Sequence, residues 1–224
     1  MALPIRYWAK ELITWFTRSS EILLSSLPQW DARLLVLNTR HVSRMWCDLD
    51  SSRLPPDLSL RQSTDSDLSF LRALYRTVRD PELALTQWSE AQKQAFSDSQ
   101  FSLQDQHYRK NYPGALFLVI QFQSVPVGRV YLAKAADQLR LMDLAFLPHF
   151  RGRGWGSSVV RVVLDLADRE RLETQLFVES SNPAYALYVH HGFLAEGLEG
   201  VYVRMRRPVP HALGNPSRST DGDD

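Results

Sequence analysis

One stretch, residues 139–156, constrains the fold of this chain more than any other. It begins as an apolar run with β character, breaks at a proline and passes through Gly152, Gly154 and Gly156. The residues that follow, 157–170, have the apolar spacing of a helix. The sequence therefore predicts a strand, a glycine-rich loop and a helix in that order.

The loop has the features of an anion-binding site. The first N–H groups of a helix have no partners within the helix and lie at the positive end of its dipole. Glycine lets the backbone come close to phosphate oxygens, because no Cβ intervenes. The loop lacks the Gly-Lys-Ser/Thr ending of a Walker loop and the spacing of the dinucleotide fingerprint. We therefore expect it to bind a diphosphate, although it fits neither of these nucleotide motifs well.

Two motifs resemble the signatures of the GCN5-related N-acetyltransferases, the GNAT family. The loop matches the Arg/Gln-x-x-Gly-x-Gly/Ala signature, and an asparagine, a tyrosine and a Gly-Phe pair further along match the second signature. A strand is expected between the two motifs. The matching residues are Arg151, Gly154, Gly156, Asn182, Tyr188, Gly192 and Phe193. With both motifs in the right order, the chain is identified as a member of this family.

The resemblance implies an α/β (α+β) fold of the GNAT type. Its central sheet is mixed and mostly antiparallel, helices flank it, and the fourth and fifth strands splay apart to admit the cofactor. A break rich in proline and serine at 51–57 is the best domain boundary. We expect a GNAT acetyltransferase domain at 58–206, after a Trp-rich, largely helical extension at 1–57 and before a disordered tail at 207–224.

The remaining elements are predicted from apolar periodicity and turn residues. Short links between three successive strands permit only antiparallel neighbours, so these strands should form a meander. A proline at position 81 is expected to end one helix and to start the next. Strands are predicted at 58–62, 115–122, 127–133, 139–147, 175–179 and near 201–206, and helices at 68–79, from about 81, at 100–110, at 157–170 and at 182–191.

The resemblance also implies acetyl-CoA as the cofactor. Backbone amides and the cationic side chains of the loop would hold its pyrophosphate, and the strand edge at 144–147 would pair with the amide-bearing pantetheine arm. Asn182 would cap its helix, contact the cofactor, or do both. Solvated surface is the alternative role for the loop cations. The expected cofactor-binding residues are Leu144, Ala145, Phe146, Leu147, Arg151, Gly152, Arg153, Gly154, Trp155, Gly156, Ser157, Asn182 and Tyr188.

Three residues are candidates for proton transfer. Tyr188 stands at the position of the family's tyrosine and would protonate the leaving thiolate, whose pKa is about 8.5 by analogy with free cysteine. Asp143, an acid inside an apolar strand, is the first candidate for the base that takes the amine proton. Burial would raise the pKa of its carboxylate toward that of a useful base. Glu179, at the end of the next strand, is the second candidate. A structural ion pair is the alternative role for either carboxylate.

The sequence does not specify the acceptor. In the family, the region between the first two strands forms one wall of the acceptor cleft, although packing or surface positions are the alternative for each residue there. The candidate wall residues are Tyr75, Trp88, Gln106, His107 and Tyr108. No pattern indicates an acyl-enzyme intermediate, so we expect an N-acetyltransferase in which a primary amine attacks directly in a ternary complex. The alternatives are an acyl-CoA-binding module in a protein assembly without turnover, and an acyltransferase with a different acyl chain or a hydroxyl acceptor.

The composition is that of an ordinary globular protein, with 44% apolar and 23% charged residues among 224. A formal net charge of +1 argues against nonspecific attraction to nucleic acid. The chain has one cysteine, Cys47, and no Cys/His cluster with zinc spacing, so we expect a metal-free protein of a reducing compartment. No apolar run approaches the ~18 residues of a membrane span. Charged residues interrupt the first apolar stretch, so a cytoplasmic location is expected.

The N-terminal extension carries an unusually large apolar face. Its apolar residues recur at helical spacing, and four of the six tryptophans lie within it. We expect an amphipathic helix that packs on the catalytic domain or on a second subunit, as in a homodimer. A groove on a partner protein and a membrane surface are the alternatives.

Overall fold

The computed structural model of the protein describes residues 49–135 and 137–210. The predicted helix of the extension and Cys47 lie outside the described residues, as does most of the predicted tail. The division into an extension, a catalytic domain and a tail stays a prediction.

One mixed sheet organises the part of the chain that the structure describes. Its seven strands are β1 (Leu58–Gln62), β2 (Leu116–Phe122), β3 (Val125–Lys134), β4 (Gln138–Phe146), β5 (Glu173–Glu179), β6 (Leu194–Glu199) and β7 (Tyr202–Arg207). They are ordered β1-β2-β3-β4-β5-β7-β6, and every neighbouring pair is antiparallel except β4 and β5. The predicted fold class and the meander of β2, β3 and β4 are confirmed.

Strand β6 is an element that the sequence pattern does not reveal. It lies at the edge of the sheet, and five of its six residues are exposed. Its register with β7 is also irregular, between Ala195 and Gly197. Because neither face of β6 is buried, its sequence lacks the alternation of apolar and polar residues by which strands are recognised.

Four helices flank the sheet within the described residues. They are α1 (Leu68–Leu83), α2 (Glu90–Asn111), α3 (Trp155–Glu170) and α4 (Ala184–His190). The predicted break at Pro81 is wrong, because α1 continues through this proline. A proline this close to the helix end removes only one amide donor of the last turn. Ser89 then begins α2 with a capping box to Gln92, and the separate helix predicted at 100–110 is part of α2.

The main core lies between the sheet and α3. Val159, Val160, Val163 and Ala167 are at most 1% exposed, as their predicted common face requires. They belong to one cluster with apolar side chains of the strands. Burial of each valine contributes about 1.5–3 kcal/mol. This packing fixes α3 on the sheet and keeps its first turn next to the end of β4.

The last described residues of the N-terminal extension pack on this core. Leu49 and Leu54 are buried in the main cluster. Between them, Arg53 donates a hydrogen bond to Asp165 of α3 at 2.6 Å. Residues 49–54 therefore pack on the domain that follows them, while the role of the residues before them stays a prediction.

Candidate active site

Strands β4 and β5 separate part-way along their length. Their last pair is Leu141 with Leu176, although β4 continues to Phe146 and β5 to Glu179. In the same region β4 stays paired with β3, and β5 stays paired with β7. The predicted splay is therefore confirmed, and it leaves a wedge-shaped opening beside residues 142–146.

The loop after β4 has a conformation that favours glycine. Gly152 and Gly154 have φ values of +72° and +77°, in the left-handed region. A Cβ on either residue would meet no atom within 4 Å, so backbone conformation and not packing requires glycine here. The first bond of α3 runs from the Ser158 amide to the Gly154 carbonyl at 3.1 Å. The amides of residues 155–157 therefore have no acceptor within the helix and are available to an anion.

The two loop arginines are held by the protein itself. The Nε of Arg151 donates to the Phe146 carbonyl, at the end of β4, at 2.8 Å. The Nη2 of Arg153 donates to the His149 carbonyl at 3.2 Å, and its guanidinium lies 5.3 Å from the centre of the Phe150 ring. The arginines thus stabilise the loop, and their positive charges stay near its amides.

Part of the predicted pantetheine-binding edge is directed away from the opening. The Leu147 amide donates to a carbonyl of β3, that of Val127, at 2.9 Å. Main-chain groups alternate in direction along an antiparallel strand, so those of Ala145 also point to β3. Those of Leu144 and Phe146 point into the opening, where the Phe146 carbonyl already accepts from Arg151. The edge offered to a ligand is therefore centred on Leu144.

Tyr188 lies on α4, which packs against β5. Its side chain is 6% exposed, and its ring meets that of Phe193 edge-on at 5.7 Å. Burial raises the pKa of the Tyr188 hydroxyl above its ordinary value, and the negative charge of Asp143 raises it further. The hydroxyl has no hydrogen-bond partner among the described residues. The phenol therefore stays protonated at neutral pH, and it lies close enough to Asp143 for the carboxylate charge to raise its pKa.

A β-bulge determines the face of the sheet on which Asp143 lies. Tyr131 of β3 is opposite Asp143. Leu132 is opposite Leu141, so Met142 is an extra residue in β4 and shifts the alternation of its side chains. Leu141 belongs to the main core, whereas Met142 packs with Tyr131 on the other face. Asp143 consequently shares the face of Tyr131.

On that face, Asp143 forms an ion pair with a buried arginine. The Nη2 of Arg129 donates to Asp143 Oδ2 at 2.6 Å and to Gln104 Oε1 at 3.1 Å, and Arg129 is only 2% exposed. The rings of Tyr75 and Tyr131 lie 5.8 and 5.0 Å from the guanidinium carbon. Burial lowers the pKa of Arg129, but the Asp143 carboxylate outweighs this effect, and the net pKa lies above its ordinary value. Oδ1 of Asp143 has no hydrogen-bond partner in the described part of the chain.

Glu179 also lies beside an arginine. Its Oε1 accepts a hydrogen bond from the Tyr202 hydroxyl at 3.2 Å and is 3.8 Å from Arg79 Nη1. Arg79 belongs to α1 and lies 3.3 Å from Glu82 as well. Burial raises the pKa of Glu82 above its ordinary value, and the negative charge of Glu179 adds to this against the opposing effect of Arg79. Both candidate bases thus have the ion-pair contacts that are the alternative to a catalytic role.

Comparison with known proteins identifies the family of this chain. The model of the Acetyltransferase (GNAT) family matches residues 82–193, half of the chain. The chain belongs to the GNAT family. This membership supports acyl transfer as the class of reaction. No curated protein matches the sequence.

Solved structures are similar to this GNAT chain over most of their own length. The PaiA N-acetyltransferase from Thermoplasma acidophilum, in complex with coenzyme A, is 20% identical, with a TM-score of 0.54 and coverage of 67% of this chain and 98% of that chain. An acetyltransferase from Thermus thermophilus is 18% identical, with a TM-score of 0.51 and coverage of 68% and 97%. An acetyltransferase from Streptococcus agalactiae is 14% identical, with a TM-score of 0.51 and coverage of 69% and 100%. At these identities the likeness shows the fold alone.

Two further residues of the predicted cofactor site have partners within the protein. Oδ1 of Asn182 accepts a hydrogen bond from the Ala184 amide at 2.9 Å, which caps the start of α4. Ser157, in the first turn of α3, has its Oγ 2.7 Å from Nε2 of His191. Their side chains are therefore positioned before any cofactor binds.

Two of the five predicted wall residues lie on the same face as Asp143. Tyr75 lies beside Arg129, and burial raises the pKa of the Tyr108 hydroxyl with a further contribution from the Asp143 charge. Tyr75 and Tyr108 are thus candidates for contact with an acceptor. Of the other three, Trp88 packs on Phe96 and Gln106 is exposed. His107 hydrogen-bonds to Asn111, and its ring lies 6.1 Å from that of Tyr108.

Arg129 and Gln104 are site residues that sequence reasoning missed. Arg129 carries a recognisable signal, because it is a cation between Gly128 and Val130 in the interior of a strand whose other charged residue, Lys134, is its last. A charged residue in such a strand requires a partner of opposite charge. Asp143 is the lone acid of β4, so the sequence indicates that each of the two residues needs a partner of opposite charge, but only the pairing of β3 with β4 shows that they are each other's partner.

The described residues offer no metal centre and no membrane span. They contain no group of three or more His, Cys, Asp or Glu side chains that could hold a metal ion. None of the helices in this part of the chain is long and apolar enough to cross a membrane.

Proposed function

We propose that this protein is an acetyl-CoA-dependent N-acetyltransferase that transfers an acetyl group to a primary amine by direct attack in a ternary complex. The observation that carries this proposal is the opening between β4 and β5. Along β4 it begins next to Asp143 and ends at the glycine loop. An elongated thioester with a diphosphate at its far end fits a site with amides at one end and proton-transfer groups at the other.

The cofactor would be held mainly by main-chain groups. The amides of residues 155–157 would bind the diphosphate, with the charges of Arg151 and Arg153 nearby. The main-chain groups of Leu144 and the Phe146 amide would pair with the pantetheine arm in the manner of an added strand. The coenzyme A bound to the PaiA protein supports the choice of this carrier.

The reaction would need no covalent enzyme intermediate. The amine nitrogen attacks the thioester carbonyl carbon, a C–N bond forms and the C–S bond breaks. The sulfur takes a proton from the Tyr188 hydroxyl as the bond breaks, and the phenol regains a proton from solvent. A thiolate leaving group with a pKa of about 8.5 is stabilised by such a donor.

The amine must also lose a proton. We assign this step to Asp143, directly or through a water molecule, because its Oδ1 is not used by Arg129 and its charge reaches Tyr188. Glu179 remains the second candidate, since it lies at the end of β5 on the other strand of the opening. An acid and a base on opposite sides of the thioester would serve the two proton transfers.

Calorimetry and a thiol-release assay test the proposal together. Calorimetric titration with acetyl-CoA should show binding at a single site. Thiol release should then occur with one or more amines of a panel that includes small amines, amino acids, aminoglycosides and peptide N-termini. Mass spectrometry of a cell extract incubated with enzyme and acetyl-CoA should identify the acetylated amine.

Each outcome has a distinct meaning. Absence of acetyl-CoA binding would contradict the proposal as a whole. Binding without thiol release on any acceptor would indicate a binding module. An ester product would indicate a hydroxyl acceptor. An acetylated enzyme, seen by intact mass after mixing with acetyl-CoA alone, would contradict direct attack.

A further inference from the structure

Ser157 and His191 form a polar contact at the start of α3. The Ser157 Oγ is 2.7 Å from His191 Nε2, and the Nη2 of Arg161 lies 3.4 Å from the same oxygen. Ser157 is in the first turn of α3, and His191 directly follows α4. The GNAT motifs do not include His191. The contact therefore joins a residue of the glycine-loop region to one that has no assigned role.

The position of one proton in this contact decides what Ser157 can offer an anion. Side chains of a helix lean toward its N-terminus, so the Ser157 hydroxyl lies near the amides of the loop. If the hydroxyl donates to Nε2, the oxygen presents only lone pairs to a phosphate. If Nε2 carries a proton and donates to the oxygen, the hydroxyl proton is left to bind the phosphate.

We propose that His191 is a positioning residue for the diphosphate of the cofactor, which donates Nε2–H to Ser157 and so directs the Ser157 hydroxyl proton to a phosphate oxygen. This inference rests on the proposed function, because it takes the glycine loop as the cofactor site. His191 itself does not touch the cofactor. Arg161 supports the same orientation, since it also donates to the Ser157 oxygen.

The charges around His191 indicate how the contact responds to pH. The groups that face it are Ser157 and Arg161 from α3, His190 from α4 and Arg207 from β7. Arg207 in turn is bound by Asp168 at 2.6 Å. Burial lowers the pKa of His191 below its ordinary value, and His190, Arg161 and Arg207 lower it further. The free protein therefore holds His191 neutral at pH 7, with its single proton on either nitrogen.

A bound diphosphate adds negative charge next to this histidine and favours the imidazolium, which donates from both nitrogens. Binding then raises the pKa of His191, and a ligand that raises a pKa binds more tightly as pH falls. Dephospho-coenzyme A is the suitable probe, because it lacks the 3′-phosphate that titrates near pH 6. Its affinity should increase about three- to tenfold between pH 8 and pH 6.

Variants of His191 and its neighbour test the inference by calorimetry with dephospho-coenzyme A. His191→Phe should weaken binding about tenfold at pH 6.5 and remove most of the pH dependence. His191→Gln keeps a donor that does not titrate, so it should restore most of the affinity at pH 8 and leave a flat pH profile. His190→Gln is the matched control, since His190 has no contact with Ser157. It should keep the affinity at pH 8 and the increase in affinity as pH falls, with the increase centred at a slightly higher pH because His190 no longer lowers the pKa of His191.

A double-variant cycle checks that His191 acts through Ser157. Ser157→Ala and His191→Phe should each weaken binding, and the double variant should be no weaker than the worse single variant. Equal affinity and an unchanged pH slope in His191→Phe or His191→Gln would overturn the inference while leaving the proposed function intact. Failure of the unmodified protein to bind coenzyme A or dephospho-coenzyme A would instead contradict the proposed function itself.

Discussion

The opening between β4 and β5 has two ends that are built differently, the loop side next to residues 152–157 and the paired side next to Asp143 and Glu179. On the loop side, the groups available are the amides of residues 155–157, which have no acceptor within the helix. On the other side, the carboxylates of Asp143 and Glu179 already lie beside Arg129 and Arg79. One side is ready for an anion, and the other has its charges balanced before a substrate arrives.

Because of this difference, substitutions on the loop side should change the affinity for the cofactor, whereas substitutions on the paired side should change the stability of the fold. The loop side depends on backbone conformation, so loss of a glycine should weaken cofactor binding with little effect on folding. The paired side depends on charges contributed by different elements, and removal of Arg129 leaves the largely buried Asp143 carboxylate without compensation. Variants on the two sides should therefore fail in different measurements.

The largest effect is expected for Arg129→Met. The substitution leaves the Asp143 carboxylate, which is 15% exposed, without its partner. Loss of one member of a buried pair costs about 3 kcal/mol or more, so the free energy of unfolding should fall by about that amount. Chemical denaturation followed by circular dichroism measures the change, and Arg129→Met combined with Asp143→Leu should recover most of it.

Arg76→Met is the matched control for this prediction. Arg76 and Asp98 form a pair of the same length, 2.6 Å, but their side chains are 31% and 27% exposed. Removal of such a partly exposed pair should cost about 1 kcal/mol or less. Similar losses for Arg129→Met and Arg76→Met would mean that burial does not distinguish the paired side of the opening.

The next effect is expected for Gly154→Val, on the loop side. Valine at a φ of +77° is strained by roughly 1–3 kcal/mol, and relief of the strain moves the loop amides away from the diphosphate. Calorimetry should show that the affinity for coenzyme A falls between about 10- and 100-fold, in a protein that is still folded. Gly197→Val is the control, because a Cβ on Gly197 would also meet no atom within 4 Å, whereas its φ is not positive. Normal binding by Gly154→Val would contradict the role of the loop.

A third effect is expected for Tyr188→Phe, which replaces the candidate acid on α4. The phenylalanine keeps the packing against Phe193 and loses the proton donor. The turnover number should fall about 10- to 100-fold, while the dissociation constant of acetyl-CoA stays within about twofold. Tyr185→Phe on the same helix is the control for a lost tyrosine hydroxyl and should keep normal turnover. Unchanged turnover in Tyr188→Phe would remove this residue from the mechanism.

The loop side could be predicted from the sequence because its signals are local. An apolar run, alternating glycines and helical spacing lie in one continuous stretch, and α3 is found at Trp155–Glu170, two residues from the predicted start. The Val159 face of α3 is buried as its spacing requires. The motif residues also fix the order of elements around the opening.

The paired side could not be predicted in the same way. Simple alternation from Leu139 and Leu141 would place Asp143 in the main core, because these residues are two apart. The bulge at Met142 reverses this, and its position depends on the pairing of β4 with β3. The partner of Asp143 likewise comes from another strand. Such long-range pairing leaves little trace in the local sequence, so the chemistry near Asp143 required the structure.

The smallest expected effect is on kcat/KM at high pH. It tests whether burial and the charge of Asp143 raise the pKa of Tyr188 in the working enzyme. Burial and this charge raise the pKa of Tyr188 above the value of about 10 that an exposed tyrosine has. As pH rises from 7 to 10, the amine loses its proton and kcat/KM should increase. The acid is lost only when the phenol ionises, so no decrease is expected below pH 10. The contradicting result is a decrease in kcat/KM that is centred below pH 10, that Tyr188→Phe does not show, and that occurs without unfolding as followed by circular dichroism. It would mean that Tyr188 is neither buried nor close to Asp143 in the working enzyme.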